Sequence, residues 1–160
     1  MQKGKFAMFG AGCFWGVEEL FRELPGVIET LVGYSGGKTD NPTYEEVCTD
    51  TSGHAEVVLV KYDPEKIKYE ALLKIFWENH NPTTPDQQGP DFGSQYRSAI
   101  FYYDEEQKAA AIKSKEDLEK ARVFGFNRIV TEIEPAKPFF KAEEYHQQYL
   151  HKRGAKTCHF

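Results

Sequence analysis

Apolar residues run unbroken over Phe6-Ala7-Met8-Phe9, then recur at Phe14, Val17, Leu20, Phe21 and Leu24. The first pattern predicts a strand over about 5–10. The second has helical spacing, predicts a helix over 14–24, and is closed by Pro25-Gly26. A second strand is expected over 27–34. A loop follows from Gly33-Tyr34-Ser35-Gly36-Gly37, and a short helix over 43–49 carries Tyr44 and Cys48. The run AEVVLVKY at 55–62 is rich in β-branched residues and reads as a central strand. Leu72, Leu73, Phe76 and Trp77 form the inward face of a helix over 68–79. A proline- and glycine-rich loop spans 81–93. Beyond it the pattern predicts a strand over 95–103, a long helix over 105–123, a strand over 128–134 and a terminal helix over 142–152. Strands that alternate with helices at this length predict an α/β (α+β) two-layer sandwich, with helices packed on a mixed β-sheet. A ferredoxin-like core with long loops is the expected arrangement.

Composition narrows the partners more than the fold. The 160 residues suit a single catalytic domain over 1–160 with a loose tail from about 153, and a monomer is expected. The net charge of −5, with no long basic run, argues against nucleic acid and anionic membranes. No apolar run approaches the roughly 20 residues of a membrane span, and Met1–Phe6 lacks a signal-peptide core, so a cytoplasmic location is expected. Cys13, Cys48 and Cys158 make an odd number of thiols, which does not suit a disulfide framework. They read either as a reactive pair with one leftover or as three inert thiols. No C-x-x-C occurs, and His146, His151, Cys158 and His159 lack metal-ligand spacing, so no metal site is expected.

The candidate chemistry centres on Gly12-Cys13-Phe14-Trp15-Gly16. Cys13 falls at the start of the first helix, where unpaired N–H groups and the positive dipole end favour an anion. Such a position can lower a thiol from about 8.5 to roughly 3.5–7.5. Trp15 lies out of phase with the apolar stripe, on the side of Glu19 and Arg22. It is either a lone surface aromatic or the wall of a small apolar site. Glu56 shares a strand face with Val58 and Val60. It is either an exposed edge glutamate or a buried acid able to donate a proton. Tyr34, Tyr44 and Tyr96 sit near loops, where a phenol could bind a polar oxygen or simply pack. Asp91 in the long loop reads first as a turn residue. His54 and His80 read as surface or capping groups.

Six segments together resemble the peptide methionine sulfoxide reductase A family. They are Gly12-Cys13-Phe14-Trp15-Gly16, Gly33-Tyr34-Ser35-Gly36-Gly37, Asn41-Pro42-Thr43-Tyr44-Glu45-Glu46-Val47-Cys48, Gly53-His54-Ala55-Glu56-Val57-Val58, Gly93-Ser94-Gln95-Tyr96-Arg97-Ser98 and Glu144-Tyr145-His146-Gln147-Gln148-Tyr149. They occur in order across nearly the whole chain. The resemblance implies reduction of the S epimer of methionine sulfoxide, free or in proteins, without metal or bound cofactor. It implies Cys13 as nucleophile, Glu56 as acid, and Tyr44 and Tyr96 as donors to the sulfoxide oxygen. It further implies a methyl cage from Phe14 and Trp15, substrate main-chain binding by Asp91, and His146 and Tyr149 at the pocket edge. Cys158 is implied as the resolving thiol, with thioredoxin or another dithiol as external reductant, and Cys48 as a structural thiol. Lys156-Thr157 stands before Cys158 where many members have Gly-Tyr.

Two other readings use the same residues. A cysteine hydrolase or acyl transferase would pair Cys13 with a histidine such as His146. A non-catalytic module that binds methionine-bearing peptides would keep the aromatic cage and leave the thiol inert.

Overall fold

A computed structural model describes residues 4–49, 52–89 and 91–152. In chain order the elements are β1 (Lys5–Ala11), α1 (Phe14–Arg22), β2 (Val27–Ser35), α2 (Tyr44–Cys48), β3 (Ala55–Tyr62), α3 (Tyr69–Glu78) and β4 (Gln87–Gln88). They continue with β5 (Asp91–Phe92), β6 (Ser98–Tyr102), α4 (Glu105–Lys120), β7 (Glu132–Pro135), β8 (Phe140–Lys141) and α5 (Tyr149–Lys152). The main sheet has six strands in the order β7-β6-β1-β3-β2-β8. Its central four pair antiparallel, and β1-α1-β2-β3-α3-β6 laid out as β6-β1-β3-β2 is the ferredoxin-like arrangement. β7 adds parallel to β6 and β8 antiparallel to β2, which makes the sheet mixed.

Helices cover one face of the sheet. Phe9 of β1 stacks on Phe21 of α1 and on Phe76 of α3, each at a ring separation of 5.2 Å. All three rings are buried, and each contributes roughly 1.5–3 kcal/mol by leaving water. This contact seats α1 on the sheet and so fixes where its N-terminus points. The opposite face is thinner. There Met8, Ala55, Val57, Ala99 and Phe101 are covered by Ala136 and Phe139 from the segment before β8.

The C-terminal region departs from the expected helix over 142–152. Glu144–His146 is a 3-10 turn, Gln148 adopts φ 51°, and only Tyr149–Lys152 is α-helical. The cause is Gln147. Its side-chain amide accepts from the Val32 N–H at 2.9 Å and donates to the carbonyls of Val32 and Ala142 at 2.9 and 3.0 Å. That side chain substitutes for a strand beside β2 and holds the segment out of helix. Other boundaries shift by local chemistry. Gly93 at φ 133° turns Ser94–Tyr96 into a 3-10 turn, so the fourth core strand begins at Ser98. Val130 N–H bonds the Pro82 carbonyl at 2.8 Å instead of a strand, and β7 begins only at Glu132. The helix expected over 105–123 ends at Lys120, ahead of Arg122 at φ 52°. Of the two readings of His54 and His80, surface or capping, the structure gives main-chain capping. His54 is buried, accepts from Gly37 N–H at 3.1 Å and bonds the Thr39 carbonyl at 2.6 Å. His80 bridges the Phe76 carbonyl and the Ser98 hydroxyl. No described helix is long and apolar enough to cross a membrane.

Candidate active site

β1 ends at Ala11, Gly12 turns the chain at φ 98°, and Cys13 takes the N-cap position of α1. No side chain of Cys13 caps the helix; its carbonyl accepts from Val17 N–H at 3.3 Å. The N–H at the first helical position, that of Phe14, donates to Glu56 Oε1 at 3.2 Å. Glu56 lies on β3 opposite Tyr34 of β2 and is 1% exposed. The expectation of an exposed edge glutamate is therefore replaced by that of a buried carboxyl beside the thiol-bearing turn. Its place on the helix-covered face follows from the alternation it shares with Val58 and Val60.

Two phenols converge on that carboxyl. Tyr44 opens α2, whose N-terminus is fixed by a capping box between Thr43 and Glu46. Burial first, then the nearby Glu56 carboxyl, hold the Tyr44 phenol far above its ordinary range; its hydroxyl also hydrogen-bonds the Cys48 thiol. Tyr96, at the end of the turn after Gly93, is raised by burial and then by Glu56, with Cys48, Asp91 and Cys13 also within electrostatic reach. Both phenols therefore stay protonated donors at neutral pH. Burial likewise raises the Cys48 thiol, partly offset by the Tyr44 hydrogen bond.

The aromatic side of the site is built from α1 and the C-terminal segment. Phe14 is buried, with its ring 5.1 Å from His146, 5.7 Å from Tyr34 and 6.5 Å from Tyr44. Trp15 is half-buried, stacks on Tyr149 at 3.9 Å and 11°, and donates its indole N–H to His146 Nδ1 at 2.9 Å. An indole N–H only donates, so Nδ1 is the acceptor and the neutral imidazole carries its proton on Nε2. Burial lowers the affinity of His146 for a second proton, which Glu143 partly offsets. Its buried Nε2 has no hydrogen-bond partner among the described residues.

The structure thus brings Cys13, Phe14, Trp15, Tyr44, Glu56, Tyr96, His146 and Tyr149 to one end of the sheet, with Asp91 on β5 beside Tyr96. Cys158 lies outside the described residues. Sequence reasoning missed Glu143, which accepts from the Tyr34 hydroxyl at 3.0 Å and the Tyr44 N–H at 3.1 Å. It also missed Glu18, 1% exposed on the apolar stripe of α1. The signal was there: Glu18 stands four residues after Phe14 and three before Phe21, in a buried helical stripe. Among the described residues no group of three His, Cys, Asp or Glu side chains is placed to hold a metal ion.

The chain resembles known proteins over nearly its whole length. The sequence model of the family described as peptide methionine sulfoxide reductase matches residues 5–160. A protein named peptide methionine sulfoxide reductase MsrA from Methanoculleus marisnigri is 60% identical over 152 residues, 95% of this chain and 92% of that one. Its namesake from Methanosarcina acetivorans is 61% identical over 148 residues, 92% of this chain and 78% of that one. Among solved structures, methionine sulfoxide reductase A of Corynebacterium diphtheriae superposes with a TM-score of 0.92 at 41% identity, covering 99% of this chain and 79% of that one. Mxr1 from Saccharomyces cerevisiae in complex with Trx2 gives a TM-score of 0.64 at 28% identity, covering 92% and 85% of the two chains. With the matched family spanning nearly its full length, the chain belongs to the peptide methionine sulfoxide reductases.

Proposed function

We propose that this site reduces the S epimer of methionine sulfoxide, free or in proteins, through a sulfenic acid on Cys13. The observation that carries the reading is the buried Glu56 carboxyl hydrogen-bonded to the amide next to Cys13, with two protonated phenols beside it. A sulfoxide sulfur is a poor electrophile until its oxygen is protonated or strongly hydrogen-bonded. Glu56, held at the amide beside Cys13, supplies the proton while the Cys13 thiolate attacks sulfur. Tyr44 and Tyr96 donate to the oxygen as charge develops there. The sulfur–oxygen bond breaks, the oxygen passes to Cys13, and methionine leaves. Sulfur of the substrate is reduced by two electrons and Cys13 is oxidised to the sulfenic acid. Phe14 and Trp15 hold the S-methyl group, Asp91 binds the substrate main chain, and His146 and Tyr149 close the edge.

Cys158 then displaces water from the sulfenic acid, and thioredoxin or another dithiol reduces the resulting disulfide. Chain length supports that role. His151, near the last described residue, contacts Arg22 at the far end of α1 at 3.1 Å. Residues 13–22 of a helix span about 14 Å, and the six steps from Lys152 to Cys158 reach at most about 21 Å. The solved complex of Mxr1 with Trx2 supports thioredoxin as the partner. No resident cofactor enters, since thiols supply both electrons. A cycle that must return Cys13 to the thiol suits a reducing compartment such as the cytoplasm. We take residues 1–160 as one monomeric catalytic domain with its tail from about 153, a reading supported by the gathering of the described site residues on one chain.

The test is consumption of the two purified epimers with dithiothreitol and with thioredoxin. Only the S epimer should disappear; loss of neither ends the reductase reading. Cys158→Ser should keep one turnover per enzyme and lose thioredoxin-driven cycling. Undiminished cycling would move the resolving role to Cys48 or to the reductant.

A further inference from the structure

We propose that Glu18 is a positioning residue whose buried carboxylate grips the Gln148 amide and thereby holds His146 and Tyr149 against the indole of Trp15. Glu18 sits one helical turn from the catalytic end of α1 and faces the sheet, not the substrate. Its Oε1 accepts from Gln148 N–H at 2.7 Å and its Oε2 accepts from the Thr30 hydroxyl at 2.8 Å. Both oxygens are thus satisfied, each by a different element. Gln148 is the residue with φ 51°, a conformation that a side-chain-bearing residue keeps only when its surroundings impose it. Gln147 imposes it from one side through its three bonds to Val32 and Ala142. Glu18 imposes it from the other.

That kink has a consequence at the site. It lets His146 present Nδ1 to the indole at 2.9 Å while Tyr149, three residues on, stacks its ring 3.9 Å from the same indole. The carboxyl burial that raises Glu18 above the usual range, eased by its two hydrogen bonds, is the cost of this arrangement. An aliphatic side chain at that position would pack as well and grip nothing.

The inference rests on the reading of Trp15 as the wall that holds the substrate methyl group. The experiment measures steady-state reduction of a methionine-S-sulfoxide peptide with dithiothreitol, together with Trp15 emission in a Trp77→Phe background. Glu18→Met fills the same volume without an acceptor. It should raise KM about tenfold with kcat little changed, as loss of uniform binding requires, and should red-shift Trp15 emission and increase its quenching by acrylamide. Glu18→Gln keeps an acceptor for Gln148 and a donor for Thr30, and should restore both readouts. If Glu18→Met leaves KM and Trp15 emission unchanged, or if Gln fails as badly as Met, the proposal is wrong. Trp15→Ala in parallel separates the two ideas. If it leaves KM unchanged, the methyl-wall reading falls, while a shifted emission in Glu18→Met would still establish the grip. If Trp15→Ala raises KM, the double variant Glu18→Met with Trp15→Ala should be no worse than Trp15→Ala alone.

Discussion

The indole N–H of Trp15 donates to Nδ1 of His146 at 2.9 Å, across 131 positions of sequence. This bond fixes the imidazole tautomer and holds an out-of-phase tryptophan against the C-terminal segment. His146→Leu removes the acceptor and leaves a part-buried N–H unpaired, at a cost of about 1–3 kcal/mol. The expected result is a KM for methionine sulfoxide raised about tenfold, with kcat within a few-fold of wild type. Steady-state kinetics with dithiothreitol reads this directly. A fall confined to kcat would place His146 in the chemistry instead.

Glu56→Gln separates the acid from the scaffold. The amide oxygen still accepts from Phe14 N–H, so the melting temperature should move little. A proton donor in the transition state contributes roughly 10²–10⁴ in rate, and kcat should fall within that range. Tyr44→Phe and Tyr96→Phe should each lower kcat on the order of 10², as loss of one oxygen-binding donor does. Single-turnover formation of Cys13 sulfenic acid, trapped with a dimedone probe, isolates the step. An unchanged trapping rate in Glu56→Gln would remove Glu56 from the proton transfer.

The strands and main helices were legible because one period dominates each: alternation or an unbroken apolar run in β1 and β3, and helical spacing in α1 and α3. The residues Cys13, Glu56, Tyr44 and Tyr96 were legible as candidates through residue type and place, and their convergence through family resemblance. The C-terminal segment was not. Its helical pattern over 142–152 is real, but Gln147 pairs with the backbone of Val32 and Glu18 takes the Gln148 amide. Those are contacts of more than 100 residues' separation, and no local window contains them. Glu56 and His54 posed the same difficulty, because burial of a polar side chain depends on which distant N–H or carbonyl meets it.

Gly12→Ala should damage the site through the long loop. At φ 98° a side chain is strained, and its Cβ would lie 2.9 Å from both Cβ and Cγ of Gln88. Gln88 holds that loop by accepting from Asn81 N–H at 2.9 Å and donating to the Asn81 carbonyl. The loop carries Asp91 and leads into Tyr96. Strain of this kind costs about 1–3 kcal/mol, or roughly 2–12 °C for a chain of this size by the relation of stability to melting temperature. A fall in kcat/KM should accompany the thermal shift. A lower melting temperature with full activity would show that the loop adapts without moving Asp91 or Tyr96.

His80 makes stability depend on acid. Its Nδ1–H donates to the Phe76 carbonyl at 2.6 Å, and its Nε2 accepts from Ser98 Oγ, 2.7 Å away, which in turn meets Thr131 Oγ1 at 2.7 Å. A proton on Nε2 would oppose the Ser98 hydroxyl proton and break that chain. Burial lowers the imidazole to about 4, against about 6.5 in an unfolded chain. Between those values the unfolded state binds a proton that the folded state does not. Stability from this group is therefore complete above about pH 6.5, falls as the pH drops toward 4, and is level below that. The whole change is at most about 3 kcal/mol. Urea unfolding across pH 7.5 to 4.5 should show a steeper loss for wild type than for His80→Gln, so that the gap between the two narrows in acid. Parallel pH profiles for the two proteins would mean that His80 titrates alike in both states.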